Sequence, residues 1–154
     1  MKITKEGFER LVETLNDLKD NKRPKIIKAI ADAREHGDLK ENAEYHAAKD
    51  RQGIIEAQIS DYEDKLNNAE VIDVSKLSGS QAIFGSTVKI EDLDSGEERT
   101  YKIVSEFEAD IDKGLICDAS PVAKSIIGKS IGDEFEVTAP KGVINFEIID
   151  IKFI

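Results

Sequence analysis

Eight residues in the second quarter of the chain recur at alternating steps of three and four: Tyr45, Ala48, Gln52, Ile55, Ile59, Tyr62, Leu66 and Ala69. That rhythm places one stripe along one side of an α-helix. The positions between carry Asp50, Arg51, Glu56, Asp61, Glu63, Asp64 and Lys65, which suit water. Gln52 is polar within the stripe, and a polar seam residue can set register. A second stripe precedes it. Thr4 is a suitable N-cap, although Gly7 stands where a full capping box has Glu. Phe8, Leu11, Leu15 and Leu18 follow at heptad spacing. Asn21-Lys22-Arg23-Pro24 then interrupts, and Ile26, Ile30 and Ala33 resume the stripe. Successive steps of four through this region read as a stutter, which locally unwinds a coiled coil. Pro24 either kinks the helix or opens a new one at its first turn, and the sequence leaves both open. Two stripes joined by a few residues predict an antiparallel helical hairpin, a coiled coil. Its second helix would run from about Asp38 to Val71, roughly 50 Å at 1.5 Å per residue.

Near residue 72 the pattern changes. Ser75-Lys-Leu-Ser-Gly-Ser-Gln81 reads as a linker, and short alternating runs follow. Thr87–Glu91 and Arg99–Val104 flank an Asp94-Ser-Gly96 turn. Glu134–Thr138 and Val143–Ile151 flank Pro140-Lys-Gly142. Between them Pro121–Ile127 predicts a short helix, with Ser120 as N-cap, Pro121 at the first position and Gly128 just past its end. The class is therefore α+β. A helical hairpin over 1–74 and a linker over 75–81 precede a small, mostly antiparallel sheet domain over 82–154. Phe84, Tyr101, Phe107, Phe135, Phe146 and Phe153 are available to an aromatic-lined pocket, but alternating strands turn aromatics into a core in any case.

The net charge of -10 argues against binding duplex DNA through bulk electrostatics, which needs clustered Lys and Arg. Cys117 is the single cysteine, so no internal disulfide forms, and a reducing compartment fits. Its setting after Gly-Leu-Ile suggests a buried strand residue. No leader-type apolar run opens the chain and no stretch nears the roughly 20 apolar residues of a membrane span. The expectation is a soluble, cytoplasmic protein. Nothing resembles a Ser-His-Asp set, a phosphate-binding loop or a zinc site.

The residues between the stripes, Gly37-Asp-Leu-Lys-Glu41, permit two readings. Asp38 can cap the second helix with Glu41 three residues later as its capping-box partner. The same two carboxylates can form half of a Mg²⁺ site, because Mg²⁺ takes one or two carboxylates beside waters and substrate phosphates. Such a half-site works only next to a group that already holds a metal and a phosphate. The readings are compatible. His36 and His46 flank this stretch without a metal-ligand spacing, and surface or packing roles suit them. Lys19, Lys22, Arg23, Lys25 and Lys28 lie near the bend, and Arg34, Lys40, Lys49 and Arg51 near the turn. These basic residues fit either a solvated, ion-paired helix surface or a strip that follows a nucleic-acid strand.

Ala33-Arg-Glu-His-Gly-Asp-Leu-Lys-Glu-Asn-Ala-Glu-Tyr-His-Ala-Ala48 resembles the turn of the bacterial Gre family of transcript cleavage factors. Arg23–Ile27, Asn68–Asp73, Phe84–Val88, Ser120-Pro-Val-Ala and Ile127-Gly-Lys129 extend the resemblance over essentially the whole chain. The resemblance implies that the hairpin enters the secondary channel of bacterial RNA polymerase and reaches the nascent RNA 3′ end of a backtracked complex. Asp38 and Glu41 would there help hold a second Mg²⁺ and orient the attacking water. The polymerase performs the hydrolysis, so the factor would be no enzyme and would hold no cofactor when free. It would have no small-molecule substrate and no membrane partner. The resemblance also implies that the C-terminal domain has a fold like that of FK506-binding prolyl isomerases and docks on the polymerase through a segment containing Ser120 and Pro121. It implies a basic patch on the hairpin that contacts RNA, for which Arg34, Lys49 and Arg51 are the candidates. The alternatives are a channel-binding regulator without cleavage activity, prolyl isomerase or chaperone work by the C-terminal domain, and a plain coiled-coil adaptor.

Overall fold

The computed structural model describes residues 1–37 and 41–154. The chain divides into two units, Phe8–Ala69, and Met1–Gly7 together with Glu70–Ile154.

In the helical unit the first stripe becomes three consecutive segments. They are α1 (Lys5–Asp17), a π-helical turn (Leu18–Lys22) and α2 (Arg23–Arg34). The backbone stays right-handed helical through Asp17, Lys22 and Arg23. The Arg23 N–H reaches back to the Leu18 carbonyl, the longer step that defines a π turn. The π turn absorbs the run of fours in the seam, and Leu18 and Ile26 both stay buried. Of the two readings of Pro24, the structure gives the second: Pro24 lies in the first turn of α2, directly after the π turn, where proline's fixed φ suits the helix.

The second stripe becomes α3 (Ala43–Asn67), 25 residues and about 37 Å long. It is shorter at both ends than the predicted span. Ala48 and Ile59 are buried, and the other six seam residues are half-buried. Leu15, Leu18 and Ile59 form the packed centre, flanked by Ile55, Tyr62 and Leu66. The contacts between helices run in opposite sequence order, from Lys19–Glu63 at 2.5 Å through Arg23–Glu56 at 2.7 Å to Ala33–Asn42, so the pair is antiparallel. Arg23 donates two hydrogen bonds to Glu56, at 2.7 and 2.8 Å. These bonds, more than the charge, hold the Glu56 carboxyl below the usual carboxylate range. With a folded-state value lowered in this way, the pair's contribution is present at neutral pH and is lost as pH falls through that lowered value.

In the sheet unit β3 (Thr87–Asp92), β4 (Glu98–Val104), β6 (Glu134–Ala139) and β7 (Gly142–Lys152) fall where the alternation predicts. With β5 (Leu115–Cys117) they form a five-stranded sheet in the order β5-β4-β3-β7-β6. All pairs are antiparallel except β4–β5. Helix α4 (Pro121–Ile126) begins as expected, with the Ser120 hydroxyl accepting from the Ala123 N–H at 3.2 Å. Phe84, Phe135 and Phe146 are buried, and the Phe135 and Phe146 rings stack at 5.5 Å from paired positions of β6 and β7. These aromatics therefore belong to the core.

Two elements differ from the sequence reading. β1 (Lys2–Thr4) pairs in parallel with β2 (Glu70–Ile72), so the first residues of the chain join the sheet unit. Residues 70–76 join it too, with a 3₁₀ turn over Val74–Lys76. The boundary thus lies at residues 69 and 70, and the helical unit is inserted between two parts of the sheet unit. Thr4 does cap α1, its hydroxyl accepting from the Gly7 N–H at 3.1 Å. Glu108, 6% exposed, completes this corner. Its carboxylate accepts from the Thr4 N–H at 3.2 Å, the Thr4 hydroxyl, the Ser105 N–H at 3.2 Å and the Ser105 hydroxyl at 2.8 Å. A carboxylate at a helix start is also favoured by the helix dipole.

A Cβ on Gly7 would stand 2.2 Å from the Glu108 carboxyl carbon. That carboxylate cannot step aside without giving up its hydrogen bonds. Gly7→Ala is therefore expected to lower stability by about 1–3 kcal/mol despite the better helix propensity of Ala. Urea denaturation checks this, and a variant as stable as the parent would contradict the close packing at Glu108.

Candidate functional site at the end of the hairpin

The last turn of α2 tightens before the chain leaves it. The Glu35 N–H bonds the Asp32 carbonyl at 3.2 Å and the His36 N–H bonds the Ala33 carbonyl at 3.2 Å. Gly37 follows with φ 136, a conformation that L side chains avoid. Glycine just past a helix end is the usual stop. Asp38 and Lys40 lie outside the described residues, so the metal role expected of Asp38 rests on sequence alone.

The start of α3 corrects the expected cap. Its N-cap is Asn42, whose side-chain oxygen accepts from the Tyr45 N–H at 3.0 Å. The helix opens four residues later than Asp38, and Glu41 precedes the cap instead of following it as a capping-box partner. Asn42 also donates from its side-chain nitrogen to the Ala33 carbonyl. One carboxamide thus ties the last turn of α2 to the first turn of α3. Sequence reasoning missed it because Asp38 offered an equally suitable cap nearer the glycine.

Glu41 is exposed and makes no hydrogen bond or ion pair among the described residues. With His36, Asn42, Ala43 and Glu44 it lines an open hollow. Among the described residues no group of three or more His, Cys, Asp and Glu side chains could hold a metal by itself. Glu41, unengaged among the described residues, could supply one oxygen donor to a metal whose other ligands came from elsewhere.

The three basic candidates do not share one patch. The Arg34 guanidinium lies over the Tyr45 ring, 5.9 Å from its centroid. The Lys49 ammonium donates to the Gln52 side-chain oxygen at 3.3 Å. Arg51, two residues on and so nearly opposite on the helix, faces α2. There it borders a cleft of about 350 Å³ with Lys22, Lys25, Ile26, Ala29 and Ile55. Lys22 and Lys25 could not be assigned to this face from the sequence, because Pro24 broke the helical phase and the π turn was not legible. Lys19 and Arg23 are engaged by Glu63 and Glu56. His36 and His46 are exposed, and the His46 ring meets Tyr45 edge-on at 5.5 Å.

Ser120 and Pro121 belong to the sheet unit. Ser120 is half-buried in its capping role, and Pro121 is exposed. Cys117 is half-buried at the end of β5. Among the described residues no helix is long and apolar enough to cross a membrane.

Two family models match the chain. "Transcription elongation factor, N-terminal" covers residues 1–71, and "Transcription elongation factor, GreA/GreB, C-term" covers residues 77–153. The chain is 54% identical over 152 residues to the transcription elongation factor GreA of Phenylobacterium zucineum, spanning 99% of this chain and 97% of that one. It is 52% identical over 153 residues to GreA of Haemophilus influenzae, spanning 99% and 97%. Among solved structures it is similar to the GreA factor homolog 1 protein of Thermus thermophilus, at 33% identity over 99% of this chain and 98% of that one, with a TM-score of 0.45.

The ring contact of Arg34 carries a prediction of its own. Tyr45→Ala should lower hairpin stability by about 0.5–1 kcal/mol beyond the loss of buried area, the scale of an exposed cation–π contact, whereas Tyr45→Phe should retain it. Thermal unfolding of both variants, each with and without Arg34→Ala, isolates the coupling.

Proposed function

Because the chain belongs to the GreA/GreB family of transcription elongation factors, we propose that it rescues arrested transcription by stimulating the cleavage of backtracked RNA within RNA polymerase. In this reading the helical hairpin enters the secondary channel of bacterial RNA polymerase in the cytoplasm. Its turn reaches the active centre, where the nascent RNA 3′ end has been displaced. The observation that carries the reading is the Glu41 carboxylate, exposed and unengaged among the described residues, directly before a cap that fixes the start of α3.

A carboxylate meant only to stabilise its own helix would be spent on a backbone N–H, as Asn42 is. Among the described residues Glu41 is not spent in that way, which leaves its oxygens for ligation. With Asp38 it supplies oxygens to a site whose remaining ligands come from the polymerase and the RNA phosphate. The chemistry that a second Mg²⁺ supplies there is activation of a water and neutralisation of charge on the scissile phosphate. The chain's own part is to deliver and orient oxygens, so catalysis stays with the polymerase and the factor is no enzyme by itself. The net charge of -10 is no obstacle to this, because the partner is a protein channel and not free duplex DNA. The exposed Pro121 at the start of α4 and the half-buried Ser120 before it are the proposed docking segment of the sheet unit. Arg34, Lys49 and Arg51 remain the proposed RNA-contacting residues, and the cleft adds Lys22 and Lys25 beside Arg51.

Backtracked elongation complexes with labelled RNA test the proposal. The protein with Mg²⁺ should release short 3′ fragments. Asp38→Ala and Glu41→Ala should each lower the rate on the order of 100-fold or more, the scale for losing one preorganised electrostatic group, while competition assays show polymerase binding retained. A parent protein that releases no fragments would sink the reading. A variant that cleaves like the parent would remove the role given to its residue.

A further inference from the structure

We infer that Asn42 is a positioning residue for Glu41, through a carboxamide that spans the two helix ends. The inference deepens the function proposed above and rests on it.

Three observations lead to it. First, the two ends of the Asn42 side chain do different work. The oxygen caps α3 through the Tyr45 N–H at 3.0 Å, and the nitrogen donates across the turn to the Ala33 carbonyl. Capping alone needs only the oxygen, and Ser, Thr or Asp would serve as well. The donor is the additional feature, and it selects a carboxamide. Second, the acceptor already takes the His36 N–H at 3.2 Å, so the Asn42 donor adds a second bond to a carbonyl of the last α2 turn and fixes α3 to a point that is itself held. Third, a parallel tie lies beside it. Arg34, next after Ala33, lies over the ring of Tyr45, the residue whose N–H Asn42 caps. The last turn of α2 and the first turn of α3 are therefore joined by two side-chain contacts.

Glu41 immediately precedes the pinned residue. Its carboxylate is separated from the clamp by one peptide unit and its own side-chain rotors, and its main-chain direction is inherited from Asn42. Metal-assisted chemistry requires ligands held to about 0.5 Å, and an exposed Glu on a free turn would not meet that. Groups that orient a metal ligand without touching the metal are typically worth about 10- to 100-fold in affinity or activity. Asn42 does not ligate in this account. It limits where the Glu41 oxygens can be.

Two substitutions separate positioning from capping. Asn42→Asp and Asn42→Ser both keep an oxygen for the Tyr45 N–H and both remove the donor to Ala33. Asn42→Ala removes both functions. The expected result is that N42D and N42S retain the helicity and melting temperature of the parent to within a few degrees and compete equally for polymerase. Their Mg²⁺ concentration for half-maximal fragment release should rise about tenfold or more. In the free protein, ¹⁵N relaxation should show a lower order parameter at the Glu41 amide, with the centre of α3 unchanged. Cleavage by both variants indistinguishable from the parent, with only N42A impaired, would reduce Asn42 to a cap and overturn the inference. Loss of cleavage with an unchanged Glu41 order parameter would overturn it too, as would a loss cured by adding more factor, which marks a binding defect. The failures are distinguishable. A parent protein inactive on backtracked complexes removes the functional reading itself, whereas an active parent with unaffected N42D and N42S removes only the role of Asn42.

Discussion

The helical unit depends on a narrow seam. Two helices cannot surround a core, so burial is confined to one line of residues, with Leu15, Leu18 and Ile59 at its centre. A pair of this kind gains little from any single contact and loses its register if the line is broken. Proline in the middle of one helix is the most direct way to break it. The π turn over Leu18–Lys22 is the local answer: it changes the hydrogen-bonding step just before Pro24, keeps Leu18 and Ile26 on the seam, and lets the helical path continue into α2. The cation pairing follows from the same phase shift. Arg23 is carried to Glu56 and Lys19 to Glu63, while Lys22, Lys25 and Arg51 border the cleft.

Much of this was legible in the sequence because it depends on period. The stripe from Tyr45 to Ala69 specified α3 and its buried side, and alternation specified β3, β4, β6 and β7 to within a residue or two. Ser120 and Thr4 were legible as caps because short polar side chains before a helix have few other uses. What escaped detection depends on partners distant in sequence. Lys2–Thr4 is too short to show a period, and its strand character comes from pairing with Glu70–Ile72. β5 is three residues held in parallel to β4, with no hairpin turn to announce it. Glu108 reads as one acid among many until folding brings Thr4 and Ser105 to it.

The site divides along the same line. Its residue types were evident from the motif, but the division of labour among them was not. Asp38 and Asn42 are both good cap residues by chemistry. The choice of Asn42 turns on a hydrogen bond to Ala33, which only the folded turn supplies. Glu41 consequently changes from a capping-box partner to a carboxylate with no hydrogen bond or ion pair among the described residues. That reassignment strengthens the case for ligation, since it removes the capping-box use of its oxygens at α3.

The insertion of the helices within the sheet unit bears on how the chain is built during synthesis. Lys2–Thr4 is synthesised before the hairpin, yet its strand partner appears only after the entire hairpin has been made. The hydroxyl of Thr4 waits longer, for a carboxylate 104 residues on. Contacts so distant in sequence are slow to form, because their loop entropy must be met before they give any return. The hairpin, whose contacts lie nearer in the chain, is free to zip up in the meantime. The order of synthesis therefore favours a helical unit complete before the start of its own first helix is sealed by Glu108.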